Sequence, residues 1–457
     1  TRITLASATG EGIEPRATRG GGFLYRFHFE LYGLPRLWTR WLVGIATMFM
    51  LVAIVSGIIT HKKIFKDFFT FRSGKGQRSW LDAHNATAVF ALPFHLMITF
   101  SGLLLLMFMF MPWGINQAYE NRQQFLRDQQ ASMIEQPQKA EDVPREGERT
   151  DRGERGQQHG EHAQGRGEER PKPELRPAPL TDLAPIMAAV QQQWKDNPIA
   201  SINIISPNTD QAKIELRALR AESVAHRNVY ATLNYNGVTG QDETDKNIRI
   251  KNPSIPSGIY NVVTVLHEAR GLDLALRWLL FCSGILGTLM VATGLILWCV
   301  KRAPQQQKQG YKSFGFRLVE VLNIAAIIGL PLACAAYFYA NRFIPADVEM
   351  RLNWEIRSFF TRWLLTLIYA IFRTHRQAWL DLLLLATLAF ALLPVVNWMT
   401  GGQALWNSIA QGQWMIASVD LAMWVMAVIF YFAYDKVKKH QGLPNKKVKV
   451  PVQEAEA

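Results

Sequence analysis

Cysteine is scarce in this chain: 457 residues hold only Cys282, Cys299 and Cys334, all inside long apolar runs. With no C-x-x-C pair and no soft-metal spacing, a disulfide framework is not indicated, and the three thiols read as packing residues. A nucleotide fold is missing too. Gly20-Gly21-Gly22 lacks the strand–turn–helix context of a dinucleotide fingerprint, and nothing resembles a flavin domain. Paired acids inside the apolar runs are lacking, since Asp67 and Asp82 lie in or beside a loop and Glu320 and Asp420 stand near helix ends. That argues against an ion-coupled transporter. There is also no initiator Met: the opening Thr1-Arg2-Ile3-Thr4-Leu5 is strand-like and a Gly-rich stretch follows. Residues 1–22 read as the tail of a truncated extracytoplasmic region.

What the chain has is apolar length. Nearly half its residues are apolar, with 14 Trp and 25 Phe, yet its mean hydropathy is neutral, so long apolar runs alternate with very polar stretches. Runs of about 18 or more apolar residues mark spans, and they fall at 36–60, 86–112, 274–300, 316–340, 378–399 and 416–434. A shorter run at 358–372 carries Arg362 and reads as a thin span or an interfacial helix. The net charge of +13 does not call for nucleic acid, because the cations cluster beside spans: His61-Lys62-Lys63 through Arg78, Lys301-Arg302 through Arg317, and Lys436 through Lys449. Such clusters mark cytoplasmic loops. The linker 401–415 has no charge and belongs on the other side. Helix 36–60 then runs inward, 86–112 outward, 274–300 inward and 316–340 outward. The segment 113–272 lies outside the cytoplasm, and counting 358–372 as a span puts the basic tail 436–457 in the cytoplasm.

The expected fold is mainly α: a polytopic helical membrane protein with a small α+β extracytoplasmic domain inserted between spans. The boundaries run as 23–112 for two spans with a basic loop at 61–80, 113–272 for the extracytoplasmic segment, 273–341 for further spans, and 342–435 for the C-terminal ones. Within 113–272, residues 138–179 mix Gly, Gln, Pro and both charges with almost no large apolar residue, a composition that cannot order itself. His159 and His162 sit there, where a solvated linker is the default. Residues 180–265 look folded: Leu180 to Trp194 has helical spacing, strands are predicted around 202–205, 212–216 and 229–234, and a turn follows at Asn236-Gly237.

The histidines carry the functional signal. His84 and His95 lie eleven residues apart on one predicted apolar helix, almost three whole turns, so both rings are expected on one face about 16 Å apart in depth. His28 and His61 bracket the 36–60 span and His267 opens another. Ionisable groups at membrane depth are rare and usually functional. An internal repeat connects them. Arg40-Trp41 precedes Ser56-Gly57 by sixteen residues, Arg277-Trp278 precedes Thr293-Gly294 by the same sixteen, and Phe27-His28 matches Leu266-His267. The two inward helices are copies, and if they relate by an axis along the membrane normal, His28 and His267 could face each other across it. The helix bearing His84 ends in a similar Ser101-Gly102, and the repeat predicts a partner for it upstream of Thr1. Histidines arranged around a helix bundle suggest stacked haems.

Taken together, the His84 to Gly102 segment, the paired Leu/Phe-His…Arg-Trp…Ser/Thr-Gly helices and the inserted helix-plus-sheet domain resemble the PepSY-associated transmembrane proteins. Phe27-His28-Phe29-Glu30-Leu31, the stretch Ile58 to Arg72 and Trp80-Leu81-Asp82-Ala83-His84-Asn85 resemble its iron-regulated inner-membrane branch. That resemblance implies a PepSY-like module at 180–265, haem b, a bacterial inner membrane with a periplasmic domain, and electrons passed to a ferric siderophore or other ferric chelate. With neutral imidazole as the axial ligand, two bis-histidine haems are expected. The outer one would use His28 and His267, with His95 as substitute; the inner one would use His84 with His61 or with a histidine upstream. The electron donor would be a cytoplasmic reductase or quinol.

Each histidine also has an ordinary reading. His95 would hydrogen-bond a carbonyl released by Pro93, and His61 would be an interfacial residue. His375 would sit in a solvated basic loop, His226 on the surface of the outer module, and His440 in the tail without a role. Trp38, Trp41, Trp80, Trp113, Trp278 and Trp298 read as interfacial anchors, and Met107, Met109 and Met111 as packing. The rival class is a non-catalytic membrane scaffold whose module binds or inhibits a periplasmic partner, with the histidines as interhelical hydrogen-bonders.

Overall fold

The computed structural model describes residues 4–5, 12–13, 16–60, 65, 72, 76–135, 175–245 and 249–440. Helices dominate, and the expected fold class is what the chain adopts. Among the described residues, five helices are long and apolar enough to cross a membrane: Arg36–Thr60, Leu274–Gln309, Phe314–Phe343, His375–Met399 and Trp414–Lys439. His61, the loop residues beside it, His159 and His162 lie outside the described residues.

The run 86–112 is not one straight helix. It is a pair of helices, Gln77–Phe90 and Leu92–Leu105, bent by 69° at Ala91. Pro93, second in the latter helix, has no amide hydrogen to donate and its ring crowds the carbonyl four residues back, which breaks the ladder there. His84 and His95 therefore sit on different helices, and the estimate of one shared face with a 16 Å spacing does not apply. Smaller boundaries also move. The 274–300 helix continues through Lys301 and Arg302 to Gln309. Lys436 to Lys439 extend the last helix, and the uncharged linker holds a short helix, Leu405–Ala410. The run 358–372 belongs to a longer helix, Arg351–Phe372. At about 33 Å it is long enough to cross, but Arg351, Glu355, Arg357 and Arg362 keep it out of the set that composition identifies.

By contacts the chain forms two compact units: Thr1–Ala46 with Ala53–Leu92 and Ser283–Ala457, and Thr47–Val52 with Pro93–Cys282. In the first, the C-terminal helices pack through Ile324, Ile328, Leu332, Leu382, Phe390 and Phe430. Buried Ala335, Ala370, Ala378 and Ala386 let the backbones approach closely, the packing that works where lipid removes the hydrophobic drive between helices. A five-residue π segment, Ala325–Gly329, interrupts one of them, and the Trp363 indole donates to the Ala325 carbonyl at 2.9 Å.

The second unit contains the inserted module. Its helix Leu183–Trp194, capped by Asp182, covers an antiparallel sheet ordered Ile199–Ile205, Lys213–Ala218, Thr232–Asn236. Ile186, Val190, Ile214, Leu216, Leu233 and Tyr235 form the core between them. Alternation put these strands in the sequence reading because one face of the sheet is buried and the other wet. The module starts earlier than 180: Pro177 bridges to Thr209 and the Ala178 amide donates to Asn208. A second ribbon pairs Ile134–Glu135 with Arg249–Ile250.

Two histidines are not where their flanking sequence puts them. His226 is buried, donating through Nε2 to the Lys251 carbonyl at 3.1 Å and accepting at Nδ1 from Ser223 at 2.8 Å. His375 begins a helix, and its Nε2 accepts from the Trp379 indole at 3.2 Å.

Candidate histidine sites

In the first unit, the helix Gln77–Phe90 starts from a fixed point. Asp82, buried, takes the Arg72 amide and Nε at 3.0 Å each and Nη2 at 3.3 Å, while Ser79 donates to the Arg72 carbonyl at 2.5 Å. Two residues later His84 meets the Leu274–Gln309 helix. Its Nδ1 lies 2.9 Å from the Met290 carbonyl. A carbonyl only accepts, so Nδ1 carries a proton and donates it. Thr293 spends its hydroxyl hydrogen on the Leu289 and Met290 carbonyls at 2.7 and 3.0 Å, and its oxygen sits 3.5 Å from the same Nδ1. Gly294 gives the ring its room: a Cβ there would stand 3.1 Å from His84 Cε1. Next along, Asn323 donates to the Leu295 carbonyl at 3.1 Å and meets Cys299 Sγ at 3.3 Å, bracing the helix that forms this seat.

The second unit repeats the device with different residues. Ser101 Oγ lies 3.0 Å from the Ile98 carbonyl and is hydrogen-bonded to His267 Nδ1 at 2.7 Å. Gly102 faces the ring, its would-be Cβ 3.5 Å from His267 Cε1. The helix Ile255–Glu268 that carries His267 is held by the neighbouring module: Arg227 pairs with Glu268 at 2.6 Å and Asn261 donates to the Ala225 carbonyl at 2.7 Å. His95, 4% exposed, lies in the same unit, its carbonyl accepting from Thr99 at 2.6 Å.

His28 is exposed on the short helix Gly20–Glu30 in the first unit. The opposite face of that helix is anchored in an aromatic cage. Phe23 packs on Tyr337 and Phe359 at 5.0 and 5.2 Å between ring centres, and Phe27 on Phe359 and Trp363 at 5.2 and 5.9 Å. The chain leading into it is strapped down by a buried pair, Arg351 and Glu355, 2.5 Å apart. Arg351 also donates to the Ala17 carbonyl, and Glu355 accepts from Thr18 at 2.9 Å and the Arg19 amide at 3.2 Å. Tyr337 adds a bond to the Gly20 carbonyl at 3.0 Å.

The sequence reading named His84 and His267 but took Ser101-Gly102 and Thr293-Gly294 only as marks of a repeat. Their recurrence was the available signal; that they receive the histidines is a tertiary fact. Among the described residues no group of three or more His, Cys, Asp and Glu side chains converges on a metal-sized site. Each of the two seats holds one imidazole.

No curated protein and no solved structure matches the chain. The family model described as the PepSY-associated TM region does match, over residues 1–301, which takes in both histidine seats, the repeated helices and the module between them. With that match over well more than half its length, the chain belongs to the PepSY-associated transmembrane family.

Proposed function

We propose that this multi-pass membrane protein is a haem-containing electron conduit of a bacterial inner membrane that reduces ferric iron, held in a siderophore or other chelate, at the periplasmic face. The observation that carries this reading is the pair of imidazoles held through Nδ1, one on the Met290 carbonyl and one on Ser101. That arrangement is how proteins fix the tautomer and aim of a ligating histidine. Bound haem b supplies one-electron chemistry at its iron. The residues present fit it: imidazoles held through one nitrogen, glycine beside each ring, and apolar helices around them.

The chain's own contribution is then positional. His84 and His267 would be the seated ligands; the two remaining positions of two bis-histidine sets would go to His28, with His95 as its substitute, and to His61 or another histidine. Helix 20–30 would present His28, and the Arg227–Glu268 pair would hold the His267 helix to the outer module. Each electron, taken from a cytoplasmic reductase or quinol, converts one chelated Fe(III) to Fe(II), and hard oxygen donors hold the ferrous ion more weakly, so iron is released. The module around 175–245 would dock the chelate or a partner protein.

The test is colour with stoichiometry. A detergent extract of the wild-type protein should show dithionite-sensitive haem bands and two haems per chain by pyridine haemochrome, with one lost in His84→Ala and one in His267→Ala. A folded, colourless protein would discard the conduit and leave the scaffold.

A further inference from the structure

The helix Ile255–Glu268 ends one residue after His267, so the haem ligand proposed there sits at a negative pole, made of the carbonyl end of the helix and the Glu268 carboxylate. Against that pole the outer module sets a cation. Arg227 Nη2 lies 2.6 Å from Glu268 Oε1, with the two side chains 15% and 16% exposed, and Arg270 Nε stands 3.8 Å from Oε2. Other bonds already fasten the module here. Asn261 donates to the Ala225 carbonyl at 2.7 Å, and buried His226, next to Arg227, is held by Ser223 and the Lys251 carbonyl. The ion pair is also poorly built as a fastener: Arg227 Nε and Glu268 Oε2 are buried without a hydrogen bond, and a pair taken largely out of water adds little net stability.

The effect of these charges is electrostatic. A carboxylate near haem iron stabilises the ferric form and lowers the reduction potential, the more so where water is thin, and a guanidinium on that carboxylate offsets it. We propose that Arg227, reaching from the module to Glu268, sets the reduction potential of the haem held by His267. The inference rests on the haem reading above and goes beyond it, because it makes the module, and not only the membrane helices, a determinant of reducing power. Neither residue touches a reacting atom; both act through the field around His267. An event at the module that draws Arg227 off Glu268 would lower the potential and make this haem a stronger reductant of the ferric chelate.

The experiment is a spectroelectrochemical titration of the full chain in detergent, in a His84→Ala background that keeps the haem on His267. Glu268→Gln should raise its midpoint potential and Arg227→Gln should lower it. Arg227→Lys, which keeps the charge, should stay near the unsubstituted value, and the double variant Arg227→Gln with Glu268→Gln should return toward it. In a His267→Ala background the same substitutions should leave the remaining haem unmoved. Glu268→Gln is nearly isosteric, so its sign decides even where Arg227→Gln loosens the module. A red protein whose potential ignores these substitutions, shifts the same way with both, or moves equally at both haems overturns the proposal and leaves the conduit standing. A colourless protein removes the conduit and the proposal with it.

Discussion

At the scale of single residues, two glycines of one helix make a controlled contrast. Gly294 has His84 Cε1 and Nδ1 at 3.1 and 3.3 Å from its would-be Cβ, while Gly284 has nothing within 4 Å. Gly294→Ala crowds the ring, which must give by a few tenths of an ångström, and the expected overpacking cost is about 1–3 kcal/mol. Gly284→Ala meets open space and should be neutral or stabilising, by up to about 1 kcal/mol from helix propensity. Thermal unfolding in detergent measures both, and equal effects would mean that the seat is not tight. His226 shows why residue-scale reading of a sequence stops where it does. Its mixed neighbours, Val224-Ala225 before it and Arg227-Asn228 after, leave a surface position as the default, yet its ring is buried against the carbonyl of Lys251, 25 residues on. Nothing local announces that acceptor.

At the scale of elements, the C-terminal helices acquire a task. They lie beyond the family match, which ends at residue 301, and their sequence carries no functional motif. Phe359, Phe360 and Trp363 nevertheless form the cage for Phe27, and Arg351 with Glu355 straps residues 17–19, so these helices hold the element that bears His28. Glu355→Ala would leave Arg351, 2% exposed, charged and unpaired, which costs about 3–5 kcal/mol. Trypsin should then cut faster after Arg16 and Arg19. The double variant Arg351→Met with Glu355→Leu removes both charges and should recover much of the stability. It cannot restore the acceptor for Thr18 and Arg19, so fast cleavage should persist. If cleavage instead recovers with stability, the strap is not what holds the segment. The break at Ala91 belongs to this scale as well: Pro93 was visible in the sequence, but an apolar run with a proline reads equally as a kinked span. Only the structure distinguishes a kink from a 69° bend that parts His84 from His95.

For the whole molecule, the arrangement of spans makes an accessible prediction. With Arg351–Phe372 crossing and the bent pair counted as one span, the linker holding Asn407 lies outside and the tail holding Lys438 inside. A membrane-impermeant maleimide should label Asn407→Cys in intact cells and Lys438→Cys only after permeabilisation. The reverse would mean that one of those two elements does not cross. The order of apolar runs, the basic segments beside them and the position of the inserted module were readable because each depends on composition or on a period of 2 or 3.6 along the chain. The doubtful helix was not, since its charges look costly until Arg351 is seen paired within one turn and bonded to the Asn341 carbonyl at 2.6 Å.

Sequence by itself determined that this chain crosses a membrane repeatedly, carries a small α+β module between spans, repeats its inward helices and belongs with the PepSY-associated proteins. These follow from hydropathy, alternation and recurrence, which are local. Tertiary structure alone decided which histidine meets which Ser/Thr-Gly pair, because Ser101 and His267 are 166 residues apart and Met290 and His84 are 206. No pattern along the chain encodes a contact at that distance; it arises when helices pack and a glycine lets a ring approach its partner.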